Sequence, residues 1–127
     1  MIVDFHVHPG SLDPATGCYF SQALRDTLLF RLIFWKLGVR RDMPPAEADR
    51  KLQAVFRAQI DGAPGVDRFV LLALDGVYDS RGVYDERRTR LVVSNDFVLD
   101  LADSDKRFVH SISVHPYRPD ALDELDS

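Results

Sequence analysis

Two histidines and an aspartate alternate with apolar residues near the amino end of the chain, in the segment IVDFHVHPG at residues 2–10. If this segment is a β-strand, residues two apart share a face, so Asp4, His6 and His8 would point the same way. Two imidazoles on one face can bind one divalent cation, at about 2.0–2.1 Å from each nitrogen for zinc. The spacing therefore predicts that His6 and His8 are metal ligands. The alternative is that two histidines simply end a strand beside a turn.

A third histidine, His115, ends another strand-like segment, RFVHSISVHP at residues 107–116. Alternation places it with small and polar side chains, whereas the large apolar side chains fall on the opposite face. If the apolar face packs on helices, His115 lies at the same end of the sheet as His6 and His8. It is then a candidate substrate-binding residue. The alternative is a histidine that hydrogen bonds to the loop fixed by Pro116.

Asp75 ends an apolar run at residues 67–75, directly before Gly76. An aspartate before glycine at a strand end is most simply interpreted as a turn residue, and a contact with ligand or substrate is the alternative. His110 falls on the predicted helix-facing side of its strand, and no function is assigned to it. The sequence contains no G-x-G-x-x-G, P-loop or G-x-S-x-G motif, so dinucleotide binding, P-loop chemistry and serine hydrolysis have no support.

The elements that would position these side chains alternate along the chain. Strands are predicted at about 1–8, 67–75 and 107–116, and helices at 18–37, 45–61, 95–104 and from Pro119 onward. Such alternation is typical of right-handed βαβ crossovers and a parallel sheet. The fold class is therefore α/β. A single domain is expected over residues 1–127, with a helical insertion around 11–62.

The composition is that of a globular protein, and it argues against nucleic-acid and membrane partners. The chain has 127 residues, of which 46% are hydrophobic, and its net charge of -4 argues against nucleic acid as a partner. Cys18 is the only cysteine, which excludes an internal disulfide and a cysteine-based zinc site. The most apolar stretch, at 28–38, contains Arg31 and Lys36 and is too short to span a bilayer. With no signal-peptide pattern, we expect a cytoplasmic protein with no membrane partner.

Three segments resemble one enzyme group. The segment at 2–10 resembles the first-strand D-x-H-x-H motif of the amidohydrolase superfamily. VDRFVLLALDG at 66–76 and SNDFVLDLADSDKRFVHSISVHPYRPDALDEL at 94–125 resemble the amidohydrolase-2, or amidohydrolase-related, family. The resemblance implies the N-terminal portion, about three βα units, of a metal-dependent TIM-like (β/α)8 barrel. It also implies that His6 and His8 bind a divalent metal, zinc in many members, with manganese as the alternative.

The function that the resemblance implies is hydrolysis of a small molecule by metal-activated water, with metal-dependent decarboxylation as the alternative. In the family, further ligands and the catalytic acid/base come from later strands of a barrel of about 250 residues. This sequence has no counterparts of them, so no catalytic residue is predicted and a truncated barrel is expected. Another interpretation is a non-catalytic half-barrel that functions only by oligomerisation, with the apolar helix at 18–37 as the contact. A PHP-like or TatD-like phosphoesterase or nuclease is a third.

Overall fold

A three-stranded parallel sheet with helices packed on it forms the centre of the computed structural model, which describes residues 1–40 and 42–126. The elements, in chain order, are β1 (Val3–Val7), a 3₁₀ turn (Pro14–Thr16), β2 (Tyr19–Phe20), α1 (Gln22–Arg25), α2 (Leu28–Lys36), α3 (Pro45–Asp61), β3 (Arg68–Leu72), β4 (Leu91–Val92), α4 (Asn95–Asp103), β5 (Phe108–Ser111) and α5 (Ala121–Asp126). The sheet order is β1-β3-β5, so β3 is central and the other two are outer strands.

The three strands predicted from the sequence are all present, and each is shorter than predicted. β3 pairs with both neighbours in parallel, with Phe69 opposite Phe108 and Leu71 opposite His110 in β5. Because the strands are parallel, their carboxyl ends lie at one edge of the sheet. The segments that follow the strands, which carry His8, Asp75 and His115, therefore begin at the same edge.

The hydrophobic core lies between one face of the sheet and helices α3 and α4. Its buried side chains include Phe69 and Leu71 of β3, Phe108 of β5, and Val98 and Leu101 of α4. The sequence predicted the last two as the apolar face of a helix at 95–104. Each fully buried side chain of this size contributes about 1.5–3 kcal/mol of hydrophobic stabilisation.

Helix α3 occupies residues Pro45–Asp61, as the sequence predicted. Proline fits the first helical position because it has no N–H to pair, and Gly62 caps the carboxyl end. Phe56 lies on the inner face of this helix, with its ring centroid 5.9 Å from that of Phe108. The helix thus covers the sheet through the predicted apolar face.

The prediction of one helix over 18–37 is wrong. The segment forms β2, α1 and α2, because Ser21 and Thr27 act as N-caps and start separate helices. Each side-chain hydroxyl accepts a hydrogen bond from a backbone N–H three residues later, at 3.2 Å. The predicted end at Gly38 is confirmed, because this residue adopts a left-handed φ of 76° directly after the α2 cap. No helix in the described part of the chain is long and apolar enough to cross a membrane.

Strand β1 departs from regular alternation. Asp4 lies opposite Phe69 and Val7 opposite Leu71, so the register slips by one residue between them. Val7 packs against the core, whereas Phe5 is 72% exposed. Regular alternation would place Phe5 on the same face as Val7, but an extra residue at a slip changes which side chains face the helices.

Strands β2 and β4 form a small antiparallel pair that the sequence did not predict. Tyr19 lies opposite Val92 and Phe20 opposite Leu91, and a further bridge joins Leu74 to Val93. These contacts tie the segment after β1 and the long loop at 76–90 to the carboxyl edge of the main sheet.

Candidate metal and substrate site

His6 and His8 meet at the carboxyl end of β1. Their Nε2 atoms are 3.0 Å apart, and the rings pack edge to face with centroids 4.7 Å apart. Both residues are exposed, so their packing contributes little to the core. The structure therefore brings together the two imidazoles that the sequence predicted as ligands.

Asp4 takes a different position. Its Oδ1 accepts a hydrogen bond from the backbone N–H of His6 at 3.0 Å. The register slip after Asp4 interrupts the alternation from which a common face for Asp4, His6 and His8 was predicted. The carboxylate thus contributes to the site by fixing the backbone that carries the first histidine.

The separation of the two Nε2 atoms suits shared coordination. Two nitrogens bound at about 2.0–2.1 Å to a tetrahedral cation lie about 3.3 Å apart, a few tenths of an ångström more than is observed. Within residues 1–40 and 42–126, no group of three or more His, Cys, Asp or Glu side chains is arranged to hold a metal. The pair therefore fits two ligand positions of a site that ordinarily has about three protein ligands.

His115 lies beyond β5, on a loop, and is half-buried. Its Nδ1 accepts a hydrogen bond from the backbone N–H of Tyr117 at 3.2 Å. A neutral imidazole that accepts at Nδ1 has its proton on Nε2, which makes Nε2 a donor. The ring of Tyr78 lies beside it, with centroids 5.5 Å apart. The structure is therefore compatible with both interpretations of His115. The ring hydrogen bonds to its own loop, and its Nε2 can still donate a hydrogen bond to a substrate.

Asp75 fixes the loop that carries His115. Its Oδ1 accepts from the N–H of Gly76 at 2.7 Å, which is the turn role that the sequence favoured. Its Oδ2 accepts from the backbone N–H of His115 at 2.9 Å. One carboxylate therefore connects the segments that follow β3 and β5.

Asn95 makes a second connection to the same loop from the first turn of α4. Its Oδ1 accepts from the N–H of Ser113 at 2.9 Å, and its Nδ2 donates to the carbonyl of Ser113 at 3.2 Å. Nδ2 also donates to Oε1 of Glu124 at 2.7 Å. The side chain is buried, so these bonds replace water that the amide would otherwise bind.

Arg118 is surrounded by three carboxylates. Its guanidinium donates to Asp75 at 3.4 Å, to Asp120 at 2.6 Å and to Glu124 at 2.9 Å. Hydrogen bonding to Asp120, followed by attraction to the other carboxylates, raises the pKa of the Arg118 guanidinium, although burial opposes the shift. The same hydrogen bond lowers the pKa of Asp120.

A cavity of about 310 Å³ opens beside this network. Asp75, Tyr78, Tyr84, Asn95 and Arg118 are among its lining residues. Burial is the main cause that raises the pKa of the Tyr78 hydroxyl, and the nearby Asp75 charge adds to it. The phenol therefore stays protonated and able to donate a hydrogen bond at neutral pH.

Sequence reasoning missed the roles of Asn95 and Glu124. Asn95 directly follows the N-cap of α4, which is Ser94, whose hydroxyl accepts from the N–H of Phe97. The available signal was the resemblance of the whole segment 94–125, which contains both residues. Pairing between them could not be predicted from spacing, because they are 29 residues apart.

The fold and the site define a mixed α/β protein with polar side chains at the carboxyl edge of a parallel sheet, where such sheets bind ligands. No family model, curated protein or solved structure matches this chain.

Proposed function

We propose that this chain is part of a cytoplasmic, metal-dependent hydrolase of the amidohydrolase-2 type. In this proposal His6 and His8 are two ligands of one divalent metal, zinc or manganese, and the parallel sheet is part of a TIM-like barrel. The substrate is a small molecule, bound with the help of His115. Decarboxylation by the same site is the alternative reaction.

The observation that carries the proposal is the 3.0 Å separation of the His6 and His8 Nε2 atoms, at the carboxyl end of a parallel strand. Two exposed imidazoles gain about 1 kcal/mol from a single hydrogen bond, which is a weak reason to hold them together. Shared coordination of a cation explains the same geometry with a larger interaction energy. The remaining ligand would come from outside this pair.

A bound divalent metal would supply Lewis acidity and lower the pKa of a bound water from about 15.7 toward 7. His6 and His8 would hold it, and Asp4 would fix the backbone of His6. His115 would donate a hydrogen bond to the substrate from Nε2, because its Nδ1 is occupied by the Tyr117 N–H. Asp75 would keep His115 in place through its backbone N–H.

The second candidate function is a non-catalytic module that acts by oligomerisation. β1 and β5 are the outer strands of the sheet, and Phe5 and Ile2 of the β1 segment are largely exposed. Outer strands with exposed apolar side chains are sites where another chain can pair. This candidate predicts a defined oligomer whether or not metal is present.

Metal content tests the proposal directly. The purified chain is saturated with zinc or manganese, freed of excess metal, and analysed by elemental mass spectrometry beside its molar mass in solution. The double variant His6→Ala/His8→Ala should lose the metal. His110→Ala is the matched control, because His110 is an exposed strand histidine distant in sequence from the pair.

The outcomes separate the candidates. One metal per monomer, lost only in the double variant, supports ligands within this chain, and one metal per dimer indicates that two copies complete the site. No metal in the parent chain, or equal metal in the parent and the double variant, would refute the assignment of His6 and His8. A metal-free, stable oligomer would favour the association module.

A further inference from the structure

Helix α2 has a large apolar outer face. Its exposed apolar side chains, between 46% and 81% exposed, are Leu28, Leu29, Leu32, Ile33 and Trp35. Together they present on the order of 600 Å² of surface, at the upper end for the largest apolar patch on a monomer. The helix has only nine residues, so this is a concentrated patch.

The opposite side of α2 is also apolar, and it has partners. Phe30 and Phe34 stack with ring centroids 4.0 Å apart, and Phe20 packs against both rings. A helix that is apolar on both sides requires two apolar surroundings. Phe20 and its neighbours provide an apolar environment for the side with Phe30 and Phe34. The outer face requires a second apolar environment.

Basic residues flank this patch in the sequence. The segment 22–40 contains Arg25, Arg31, Lys36 and Arg40 and one acidic residue, Asp26, which gives it a formal charge of +3 in a chain of net charge -4. The three arginines of this segment also line a groove of about 690 Å³ beside α2, together with Phe30 and Phe34. Apolar and positive surfaces thus adjoin each other.

We propose that α2 lies flat on an anionic lipid bilayer, with its outer face among the acyl chains and headgroups and its basic side chains at the lipid phosphates. Interfacial helices have Trp, Phe and Leu on the face that enters the bilayer, by about 5–10 Å, and Lys and Arg that reach the headgroups from their polar face. The sequence predicted no membrane partner because no segment can span a bilayer, and a surface-bound helix need not span one. The inference is independent of the metal site.

Charge decides between a bilayer and a second copy of the chain. Two copies joined through α2 would bring two segments of charge +3 together, and in each copy the repulsion would be opposed by Asp26 and by Asp42, which is already paired with Arg40 at 3.0 Å. An anionic surface instead attracts each Lys or Arg near it, by about fivefold in affinity per residue. The arrangement of charges therefore favours lipid.

The only tryptophan, Trp35, lies on the outer face and reports contact with lipid. The full chain is mixed with vesicles of phosphatidylcholine containing 30% phosphatidylserine, and with vesicles of phosphatidylcholine alone. We expect a blue shift of Trp35 emission, protection from acrylamide and flotation with the anionic vesicles, all weakened by added salt. Neutral vesicles should bind much less.

Two variants with matched controls complete the test. Leu29→Glu/Leu32→Glu should abolish binding, whereas Leu122→Glu/Leu125→Glu on the exposed face of α5 should not. Arg31→Gln/Lys36→Gln, which preserves the apolar face, should lower the partition coefficient about 30-fold. Arg87→Gln/Arg90→Gln should leave it unchanged.

Absence of binding would overturn the proposal, as would equal binding to neutral vesicles. A blue shift that depends on protein concentration and needs no vesicles would also overturn it, and would assign the face to a second copy of the chain.

Discussion

Removal of the Asn95 side chain should destabilise the protein much more than removal of an exposed amide such as that of Gln59. Asn95→Ala deletes two hydrogen bonds to the Ser113 backbone and one to the Glu124 carboxylate. It also leaves the Ser113 N–H and carbonyl without this partner, and the site is buried.

The magnitude follows from those three bonds. Each neutral bond contributes about 0.5–1.5 kcal/mol, and the bond to a charged group about 1.5–3 kcal/mol. Because water can replace some of these hydrogen bonds and the structure can relax around the smaller side chain, the free energy of unfolding should fall by about 2–4 kcal/mol. That is a large fraction of the 5–15 kcal/mol typical of a domain.

Urea unfolding followed by far-UV circular dichroism measures the change, with the m-value as a check that the unfolded state is unaffected. Gln59→Ala is the matched control, because Gln59 is an exposed amide on α3. It should change the free energy of unfolding by less than about 0.5 kcal/mol. A loss for Asn95→Ala no larger than that of the control would refute the role of Asn95 in anchoring the loop after β5.

Two further predictions concern single contacts. Hydrogen bonds from Arg107 hold the pKa of the Asp105 carboxyl at about 2, below the unfolded value of about 3.9. The ionised carboxylate therefore stabilises the folded protein above about pH 4, and this contribution is lost as the pH falls toward 2. Urea unfolding should therefore show the deficit of Asp105→Asn shrinking over that range, and a constant deficit would contradict this. Gly76→Ala should cost about 1–3 kcal/mol in thermal or urea unfolding, since its Cβ would overlap the Tyr84 ring, and Tyr84→Ala should relieve part of that cost.

Local signals in the sequence predicted much of the main sheet and its helices. Helix α3 was predicted with its observed bounds because Pro45 and Gly62 mark its ends chemically. The His6 and His8 pair was predicted because the two residues are only two positions apart in the sequence, so no long-range contact is needed to bring them together. Sequence signals of this kind depend only on residues that are close together in the chain.

Features that depend on distant contacts were missed. β2 and β4 are two residues each and lie about 70 residues apart, so neither has a detectable pattern of its own. The break between α1 and α2 was missed because it falls on Arg25, Asp26 and Thr27, and a few polar residues between apolar segments are also compatible with one amphipathic helix. The Thr27 hydroxyl instead starts a new helix. The slip in β1 depends on pairing with β3, which alternation in one strand cannot reveal.

The polar side chains at the carboxyl edge form two sets. Those of one set are already paired with protein groups, and those of the other can still bind a ligand. Arg118 would be the obvious side chain to bind an anionic substrate, yet its guanidinium already donates to three carboxylates. A substrate carboxylate would have to displace Asp75, Asp120 or Glu124, and it would meet the repulsion of the two that remained. Arg118 is therefore better suited to hold the loop than to bind substrate. Among the described residues, the rings of His6 and His8 hydrogen bond to each other and the ring of His115 accepts from the Tyr117 N–H, so each imidazole keeps one ring nitrogen that can bind a ligand.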